Sequence, residues 1–325
     1  MSVDQNRRHL LKLASAMGLA ICSGHHSLFA TPLPSSATKI IPSSNESLFP
    51  IGMGTWITFN VGNDMQLREQ RLQVVDKFFE LGGQMIDSSP MYGSSEDVVG
   101  YCLSQLASKG LSTKEEIRKK LNNRGKLFAA TKTWTRSSDS GQQQFIDSQR
   151  LWRQQRFDLL QVHNLVAWQR HLPMLQELKQ QKLIRYLGVT TSHGRRHSEL
   201  IKIMKTQAID FIQLTYNIDD REAEHDILPL AQERGIAVIA NRPLQGGRLM
   251  DKFQQEPLPV WSKEIGCNNW AQFFLRFIIS HPAITSAIPA TSQVNHMIEN
   301  MGAINRVPLP NNAQREQMVR YLAAL

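Results

Sequence analysis

Cysteine is scarce in this chain, and its few cysteines lack the spacing of a metal site. The 325 residues contain three, Cys22, Cys102 and Cys267. None belongs to a Cys-x-x-Cys pair and none has a histidine at metal-ligand spacing, so we expect no zinc or other metal centre. The sequence does not decide whether Cys102 and Cys267 form a disulfide.

Clustered basic residues and a glycine-rich dinucleotide motif are also missing. The formal net charge of +9 is spread along the whole chain rather than gathered in a stripe with aromatic residues, so we expect no nucleic-acid binding. Hydrophobic residues make up 41% of the chain, which is typical of a soluble globular protein with a large core. No Gly-x-Gly-x-x-Gly follows the first predicted strand, which disfavours a doubly wound dinucleotide-binding sheet.

The N-terminal segment has the features of an export signal. Arg7 and Arg8 precede the weakly apolar run LASAMGLAIC, an order typical of twin-arginine signals; a basic N-terminus with no targeting role is the alternative. The run is shorter than the roughly 20 apolar residues that span a bilayer. We therefore predict a signal peptide over residues 1–30 and a flexible lead-in over residues 31–45. The protein would engage the twin-arginine export machinery, be periplasmic, and keep no stable membrane anchor after cleavage.

From about residue 50 onward, short apolar runs alternate with segments of helical period. The predicted strands are Ile51–Trp56, Gln84–Ser88, Leu127–Lys132, Asp158–His163, Tyr186–Thr190, Phe211–Asn217, Ala237–Asn241 and Ser286–Pro289. An additional helix is predicted over Thr113–Leu121, where Thr113 and Glu116 are spaced as a capping box. Eight strands alternating with helices predict an α/β fold, a (β/α)8 TIM barrel over residues 46–325, with an open doubly wound sheet as the alternative.

Four polar residues fall at the ends of three successive predicted strands. Asp87 and Tyr92 follow the second strand, Lys132 ends the third and His163 ends the fourth. Singly, three of them have ordinary explanations as a cap, a packed ring and a core histidine, whereas burying an unpaired lysine is costly. Active residues of such barrels lie at the carboxyl ends of the strands. The joint placement of all four at one barrel face therefore indicates a catalytic site.

These residue types together suit the reduction of a carbonyl group. Hydride addition leaves negative charge on oxygen, so a proton donor must stand beside it. A tyrosine has an ordinary pKa of about 10, which an ammonium group would lower, and a carboxylate would keep that ammonium charged. Tyr92, Lys132 and Asp87 form such a set, and His163 would orient the carbonyl oxygen. The hydride must come from a cofactor.

Four sequence stretches resemble the successive signatures of the aldo-keto reductases. They are GMGTW, MIDSSPMYGSSEDVVG, LFAATKTW and DLLQVHN, and the resemblance extends from about Leu48 to Asn300. It implies an NAD(P)H-dependent oxidoreductase that reduces aldehydes or ketones to alcohols. It also implies that Asp87, Tyr92, Lys132 and His163 are the catalytic tetrad, with Tyr92 as the general acid.

The same resemblance implies where a nicotinamide cofactor binds. The matching positions are Thr190, Thr191, Gln213, Asn241, Arg242, Leu244, Gly246, Thr291, His296, Glu299 and Asn300. Asn241 stands where the family has an aromatic residue that stacks on the nicotinamide. Ala290 and His296 replace the lysine and arginine that hold the 2′-phosphate of NADP. We expect NADP(H) on family grounds, with NAD(H) as the alternative.

The resemblance implies less about the substrate. Trp56 and Trp134 fall where the family lines its substrate pocket, so we expect a small-molecule carbonyl compound of apolar or sugar-like character; packing under loops is the alternative role for both. No arginine stands out as a clamp for a carboxylate substrate.

The sequence leaves two alternatives to the reductase. One is an exported nicotinamide-nucleotide-binding sensor or partner subunit with little turnover, which the altered nicotinamide contacts would suit. The other is a metal-dependent barrel hydrolase that uses Asp87 and His163. The hydrolase is disfavoured because no His-x-His pair follows the first strand.

Overall fold

The computed structural model describes residues 38–109 and 127–325. Its strands are β1 (Lys39–Ile41), β2 (Glu46–Leu48), β3 (Met53–Gly54), β4 (Met85–Asp87), β5 (Phe128–Thr133), β6 (Phe157–Val162), β7 (Ile184–Thr190), β8 (Phe211–Thr215), β9 (Ala237–Asn241) and β10 (Ile284–Ala287). The predicted signal peptide and the predicted helix Thr113–Leu121 lie outside the described residues.

Strands β3 to β10 form one parallel sheet in chain order. Parallel bridges join its two edges at Ile51 with Ala287 and at Gly54 with Ala290. The Gly52 N–H donates to the Ala287 carbonyl at 2.8 Å, which adds a hydrogen bond to this closure. The predicted barrel is therefore confirmed, and the open-sheet alternative is wrong.

Helices follow the strands and cover the outside of the barrel. They are α1 (Met65–Glu80), α2 (Ser95–Ser108), α3 (Ser138–Trp152), α4 (Trp168–Gln180), α5 (His197–Thr206), α6 (Ile227–Arg234), α7 (Arg248–Phe253), α8 (Trp270–Ser280), α9 (Val294–Met301) and α10 (Asn312–Ala323). Gly235 ends α6 in the left-handed conformation, φ +63°, as expected of a glycine stop signal. Within residues 38–109 and 127–325 there is no helix with the length and apolar character needed to cross a membrane.

The alternation of side chains along each strand separates the barrel interior from the helix layer. Met85, Phe128, Leu159 and Phe211 belong to one buried cluster inside the barrel. Asp87 lies two positions after Met85 on its strand, so both side chains face the interior. In the same way Gln161 lies two positions after Leu159, and Gln213 lies two positions after Phe211. Lys132 lies four positions after Phe128. The barrel interior is therefore apolar toward the amino ends of the strands and polar at their carboxyl ends.

A hairpin of β1 and β2 closes the opposite, amino-terminal end of the barrel. Its Ile41 and Leu48 are buried in the interior cluster, and the Tyr186 hydroxyl of β7 donates to Glu46 Oε2 at 2.6 Å. The sequence predicts a flexible lead-in through residue 45, whereas the chain pairs as a strand from Lys39. Burial of the two apolar side chains accounts for this difference.

Both cysteines of the described part of the barrel, Cys102 and Cys267, are buried and free. Burial raises the pKa of each thiol to about 12. The question of a disulfide between them is thereby answered, and neither thiol is activated for chemistry.

Candidate active site

A short helical turn brings Tyr92 back over the end of β4. Ser89 caps this turn, Pro90–Tyr92, by accepting a hydrogen bond from the Met91 N–H at 3.2 Å. Gly93 then adopts φ +62°, and a Cβ atom there would lie 2.3 Å from Asn60 Oδ1. Only glycine fits this backbone, so Gly93 sets the position of the tyrosine.

Lys132 and Asp87 form a buried ion pair inside the barrel. Lys132 Nζ lies 2.5 Å from Asp87 Oδ2 and donates to the Ser88 carbonyl at 2.8 Å. The two side chains are 0% and 2% exposed, so neither charge is hydrated. Burial by itself lowers the pKa of Lys132, but the Asp87 carboxylate and the Tyr92 phenol outweigh it and raise the pKa above its ordinary value. The ammonium is therefore charged at neutral pH.

Two glutamines hold the other oxygen of the same carboxylate. Gln161 Nε2 and Gln213 Nε2 donate to Asp87 Oδ1 at 3.2 and 3.1 Å. Both are buried, and they come from strands β6 and β8 across the barrel interior. Asp87 thus has hydrogen bonds on both oxygens, which fixes the direction of the ammonium beside it.

Tyr92 lies between the ammonium and the imidazole. Lys132 Nζ is 5.2 Å from the centre of the Tyr92 ring, and the ring meets that of His163 edge-on at 5.6 Å and 84°. Burial raises the pKa of Tyr92, while Lys132 acts to lower it. The lysine acts in the predicted direction, but burial is the larger effect, so the phenol is protonated at neutral pH.

His163 is held in its neutral form. Burial lowers its pKa to about 2, and the charge of Lys132 acts in the same direction. Its Nδ1 lies 3.0 Å from Ser89 Oγ. Since Ser89 Oγ already accepts from the Met91 N–H, its own hydrogen is available for Nδ1. This arrangement favours the tautomer whose Nε2 carries the hydrogen.

A cavity of about 670 Å³ opens above these residues. Asp87, Tyr92 and His163 line it, and Lys132 lies directly beneath. The lining also includes most of the positions predicted for cofactor and substrate, namely Trp56, Thr190, Gln213, Asn241, Arg242, Leu244, Gly246, Thr291, His296, Glu299 and Asn300. The structure thus brings together residues that are far apart in the sequence, in one cavity at the predicted barrel face.

The polar groups deep in this cavity suit a carboxamide. Thr190 Oγ1 accepts from the Asn164 N–H at 2.9 Å, which leaves its own hydrogen to donate. Gln213 gives an N–H to Asp87, and its Oε1 can accept. Asn241 accepts from Thr215 Oγ1 at 2.8 Å and donates to the Thr191 carbonyl at 2.9 Å. The asparagine that replaces the family aromatic is therefore tied to two strand ends.

Two predicted residues do not line the cavity. Thr191 comes directly after the inward-facing Thr190, so alternation turns its side chain away from the barrel interior; its buried Oγ1 has no hydrogen-bond partner among the described residues. Trp134 is 42% exposed, and its N–H and carbonyl are both bonded to the side chain of Gln144. Neither side chain is among the residues that line the cavity, so the roles assigned to Thr191 and Trp134 stay predictions.

The sequence reasoning missed several residues of the site. Gln161 and Ser89 support Asp87 and His163, and both stand within the signature stretches. Alternation could have identified Gln161, which is two positions before His163 on the same strand. His193 and Arg195 line the cavity from the loop after β7, and no pattern in the sequence marks them.

No group of three or more His, Cys, Asp or Glu side chains among residues 38–109 and 127–325 is placed to hold a metal ion. Asp87, which the hydrolase hypothesis would need as a ligand, is bonded to Lys132 and two glutamines instead.

Comparison with known proteins agrees with this fold. The methylglyoxal reductase YeaE of Escherichia coli is 26% identical over 270 residues, covering 81% of this chain and 87% of the relative. An NADH-specific methylglyoxal reductase of the same organism is 26% identical over 247 residues, covering 68% and 72%. The crystal structure of a Klebsiella pneumoniae aldo/keto reductase with NADP and acetate superimposes with a TM-score of 0.68 at 23% identity, covering 85% and 92%. The last of these shows the shared fold.

A family model gives the assignment directly. The model of the aldo/keto reductase family matches residues 50–316, which is most of the chain and includes all four predicted catalytic residues. The chain therefore belongs to the aldo/keto reductase family of oxidoreductases.

Proposed function

We propose that this protein reduces aldehydes or ketones to alcohols with NADPH or NADH, and that Tyr92 is the general acid. The observation that carries the proposal is the contact of Tyr92 with both Lys132 and His163 at the floor of the cavity. Two relatives are named methylglyoxal reductases, which supports a small carbonyl compound as substrate.

The cavity lining offers groups that suit two parts of a nicotinamide nucleotide, the carboxamide and the phosphates. The hydroxyl of Thr190 and the Oε1 of Gln213 offer a donor and an acceptor beside the tetrad, as a carboxamide requires. His193, Arg195, Arg242 and His296 bring cationic or hydrogen-bonding groups to the lining, as phosphates require. When bound, the reduced nucleotide supplies the hydride.

The chain's own residues would then manage the proton. His163 Nε2 and the Tyr92 hydroxyl would both donate to the carbonyl oxygen, which aligns it and makes its carbon more electrophilic. As negative charge develops on that oxygen, Tyr92 gives up its proton. Lys132, charged and held by Asp87, stabilises the phenolate that is left. Asp87, Lys132 and His163 are buried, and the low dielectric around them strengthens their electrostatic interactions.

The proposal is tested by following nicotinamide absorbance with the purified full chain. NADPH and NADH are supplied in parallel with methylglyoxal and with benzaldehyde. We expect decay with at least one nucleotide and multiple turnovers per molecule. Nucleotide binding without turnover for either aldehyde would instead support the sensor or partner subunit, which the assembled tetrad does not favour.

The dependence on pH gives a second test. Because burial holds His163 neutral and Tyr92 protonated, we expect kcat for reduction to be constant from about pH 6 to pH 9. Activity should be lost only as the pH rises through the raised pKa of Tyr92. Rates are measured at saturating nucleotide, and circular dichroism at each pH confirms folding. A fall in kcat toward low pH, with a midpoint near the ordinary histidine pKa of about 6.5, would contradict a neutral His163.

Two expectations stay proposals. Export through the twin-arginine route to the periplasm depends on residues outside the described ranges. The choice between NADP(H) and NAD(H) also stays open to the parallel assay, since Ala290 and His296 line the cavity where the family has two basic residues.

A further inference from the structure

Asn164, the residue after His163, has a side-chain amide without a hydrogen-bond partner in the described part of the chain. It lines the cavity and is half-buried. Its hydrogen bonds there are made by its backbone: the N–H donates to Thr190 Oγ1 at 2.9 Å, and the carbonyl accepts from Arg196 Nη1 at 2.7 Å. Neither atom of the amide is sealed inside the protein. The amide donor and acceptor are therefore open to a ligand in the cavity.

The backbone of Asn164 fixes the direction of this amide. Its φ of 51° and ψ of 32° lie in the left-handed region, where asparagine is one of the few residues other than glycine that occur often. Leu165 and Ala167 also have positive φ values, 55° and 49°. Strained backbone of this kind is concentrated at ligand sites. The two backbone hydrogen bonds of Asn164 hold the strained residue in one conformation.

The amide lies next in the chain to the group that would orient the carbonyl. His163 would donate from Nε2 to the carbonyl oxygen, and Asn164 follows it directly. Other residues of the lining near Tyr92 are apolar, with Met91 beside it in the chain and Trp56 and Ile57 in the loop after β3. Asn164 thus adds a donor and an acceptor close to the position of the reacting carbonyl.

The carboxamide of the nucleotide has other partners. Thr190 and Gln213 offer it a donor and an acceptor, and the Thr190 hydroxyl is engaged by the backbone of Asn164 rather than by its side chain. The amide of Asn164 is left for a second polar group on the substrate. Because an amide both donates and accepts, a carbonyl or a hydroxyl group would satisfy it, whereas an alkyl group would leave it unpaired.

We propose that the Asn164 amide selects substrates that carry a second oxygen, as a carbonyl or a hydroxyl, on the carbon next to the carbonyl that is reduced. The substrate class is then 2-oxoaldehydes and 2-hydroxyaldehydes rather than simple alkyl aldehydes. This role of Asn164 rests on the proposed function, to which it adds a specificity-determining residue. Contact with the second oxygen would also fix the rotation of the substrate about the bond between its two oxygen-bearing carbons.

The test compares three aldehydes of similar size. Propionaldehyde has a CH2 group where methylglyoxal has its second carbonyl, and a methyl group where glycolaldehyde has its hydroxyl. The values of kcat and KM are measured for the full chain at saturating nucleotide. Asn164→Gly removes the amide and keeps the left-handed backbone accessible. We expect it to lower kcat/KM for methylglyoxal and for glycolaldehyde, relative to propionaldehyde, by about three- to tenfold, mainly through KM.

Ala167→Gly is the matched control. Ala167 has the same left-handed backbone in the same loop but does not belong to the cavity lining. Its substitution therefore adds the freedom of a glycine without removing an amide, and the aldehyde ratios should equal those of the wild type. Thermal unfolding confirms that the variants are folded.

Asn164→Asp separates the donor from the acceptor. The carboxylate keeps the shape of the amide and accepts, but it cannot donate. Relative to propionaldehyde, kcat/KM should therefore fall for methylglyoxal, whose second oxygen only accepts. It should fall less for glycolaldehyde, whose hydroxyl can donate to the carboxylate.

The possible failures are distinguishable. Unchanged aldehyde ratios in Asn164→Gly, or the same change in Ala167→Gly, would overturn the role of Asn164 and leave the reductase intact. Calorimetry without substrate measures the nucleotide Kd; a raised Kd in Asn164→Gly with unchanged ratios would assign the amide to the cofactor and also overturn that role. A wild type that reduces none of the three aldehydes would refute the proposed function itself, and substrate selection by Asn164 with it.

Discussion

Replacing Tyr92 by phenylalanine is expected to lower kcat for carbonyl reduction by about 10²- to 10⁴-fold, the usual contribution of a positioned proton donor. The ring contacts of Tyr92 with His163 and Lys132 do not need the hydroxyl, so the phenylalanine ring should occupy the same place. Only the proton donor is removed. The Kd of the nucleotide should therefore be unchanged, since no predicted nucleotide contact depends on that hydroxyl.

Both quantities are measured on the same preparation. Single-turnover rates at saturating nucleotide report the chemical step, and calorimetry without substrate reports the Kd. Tyr101→Phe is the matched control, because Tyr101 lies on α2, away from the cavity, with the guanidinium of Arg68 5.6 Å from its ring centre. A Tyr92→Phe protein with full activity would remove Tyr92 from the role of general acid.

Replacing Lys132 by methionine is expected to destabilise the fold as well as to abolish most turnover. The change leaves the Asp87 carboxylate buried at 2% exposure, with only the two glutamine N–H groups beside it. Removing one partner of a buried ion pair costs about 3–5 kcal/mol because the other charge stays unpaired. Turnover falls for a separate reason, since a phenolate on Tyr92 would no longer be stabilised.

A second substitution separates the two effects. In the double variant Asp87→Asn/Lys132→Met the unpaired charge is gone, so much of the free energy of unfolding should return while turnover stays low. Urea unfolding measures the first quantity and the nicotinamide assay the second. If the Lys132→Met protein unfolds at the same urea concentration as the wild type, the ion pair does not stabilise the fold by this amount.

The strand predictions show how local pattern locates a site. The predicted strand Ala237–Asn241 matches β9 residue for residue, and β4, predicted as Gln84–Ser88, is Met85–Asp87. Because parallel strands of a barrel end at one face, knowing the strand ends was enough to place Asp87, Lys132 and His163 together. The same reasoning says less about Thr191, because it lies one residue beyond the end of β7 at Thr190.

Contacts between distant loops could not be predicted in the same way. Nothing near Arg242 in the sequence indicates that its guanidinium meets Trp56, since that contact depends on the conformations of two loops and on the closure of the barrel between them. The same holds for the hairpin, where the burial of Ile41 depends on an opening that exists only once eight strands have closed. The net rise in the pKa of Tyr92 also depends on burial, which the sequence does not report.

The sequence by itself determined the order of strands and helices, the barrel they form and the placement of the four predicted catalytic residues at one barrel face. These follow from periodicity, from strand ends and from signature stretches, which are local properties of the chain. The tertiary structure alone decided the protonation of Tyr92 and His163, the double support of Asp87, the closing of the barrel end and the exposure of Arg242 to the cavity. Each of these depends on desolvation or on contact between segments far apart in the chain, and both arise only when the barrel is packed.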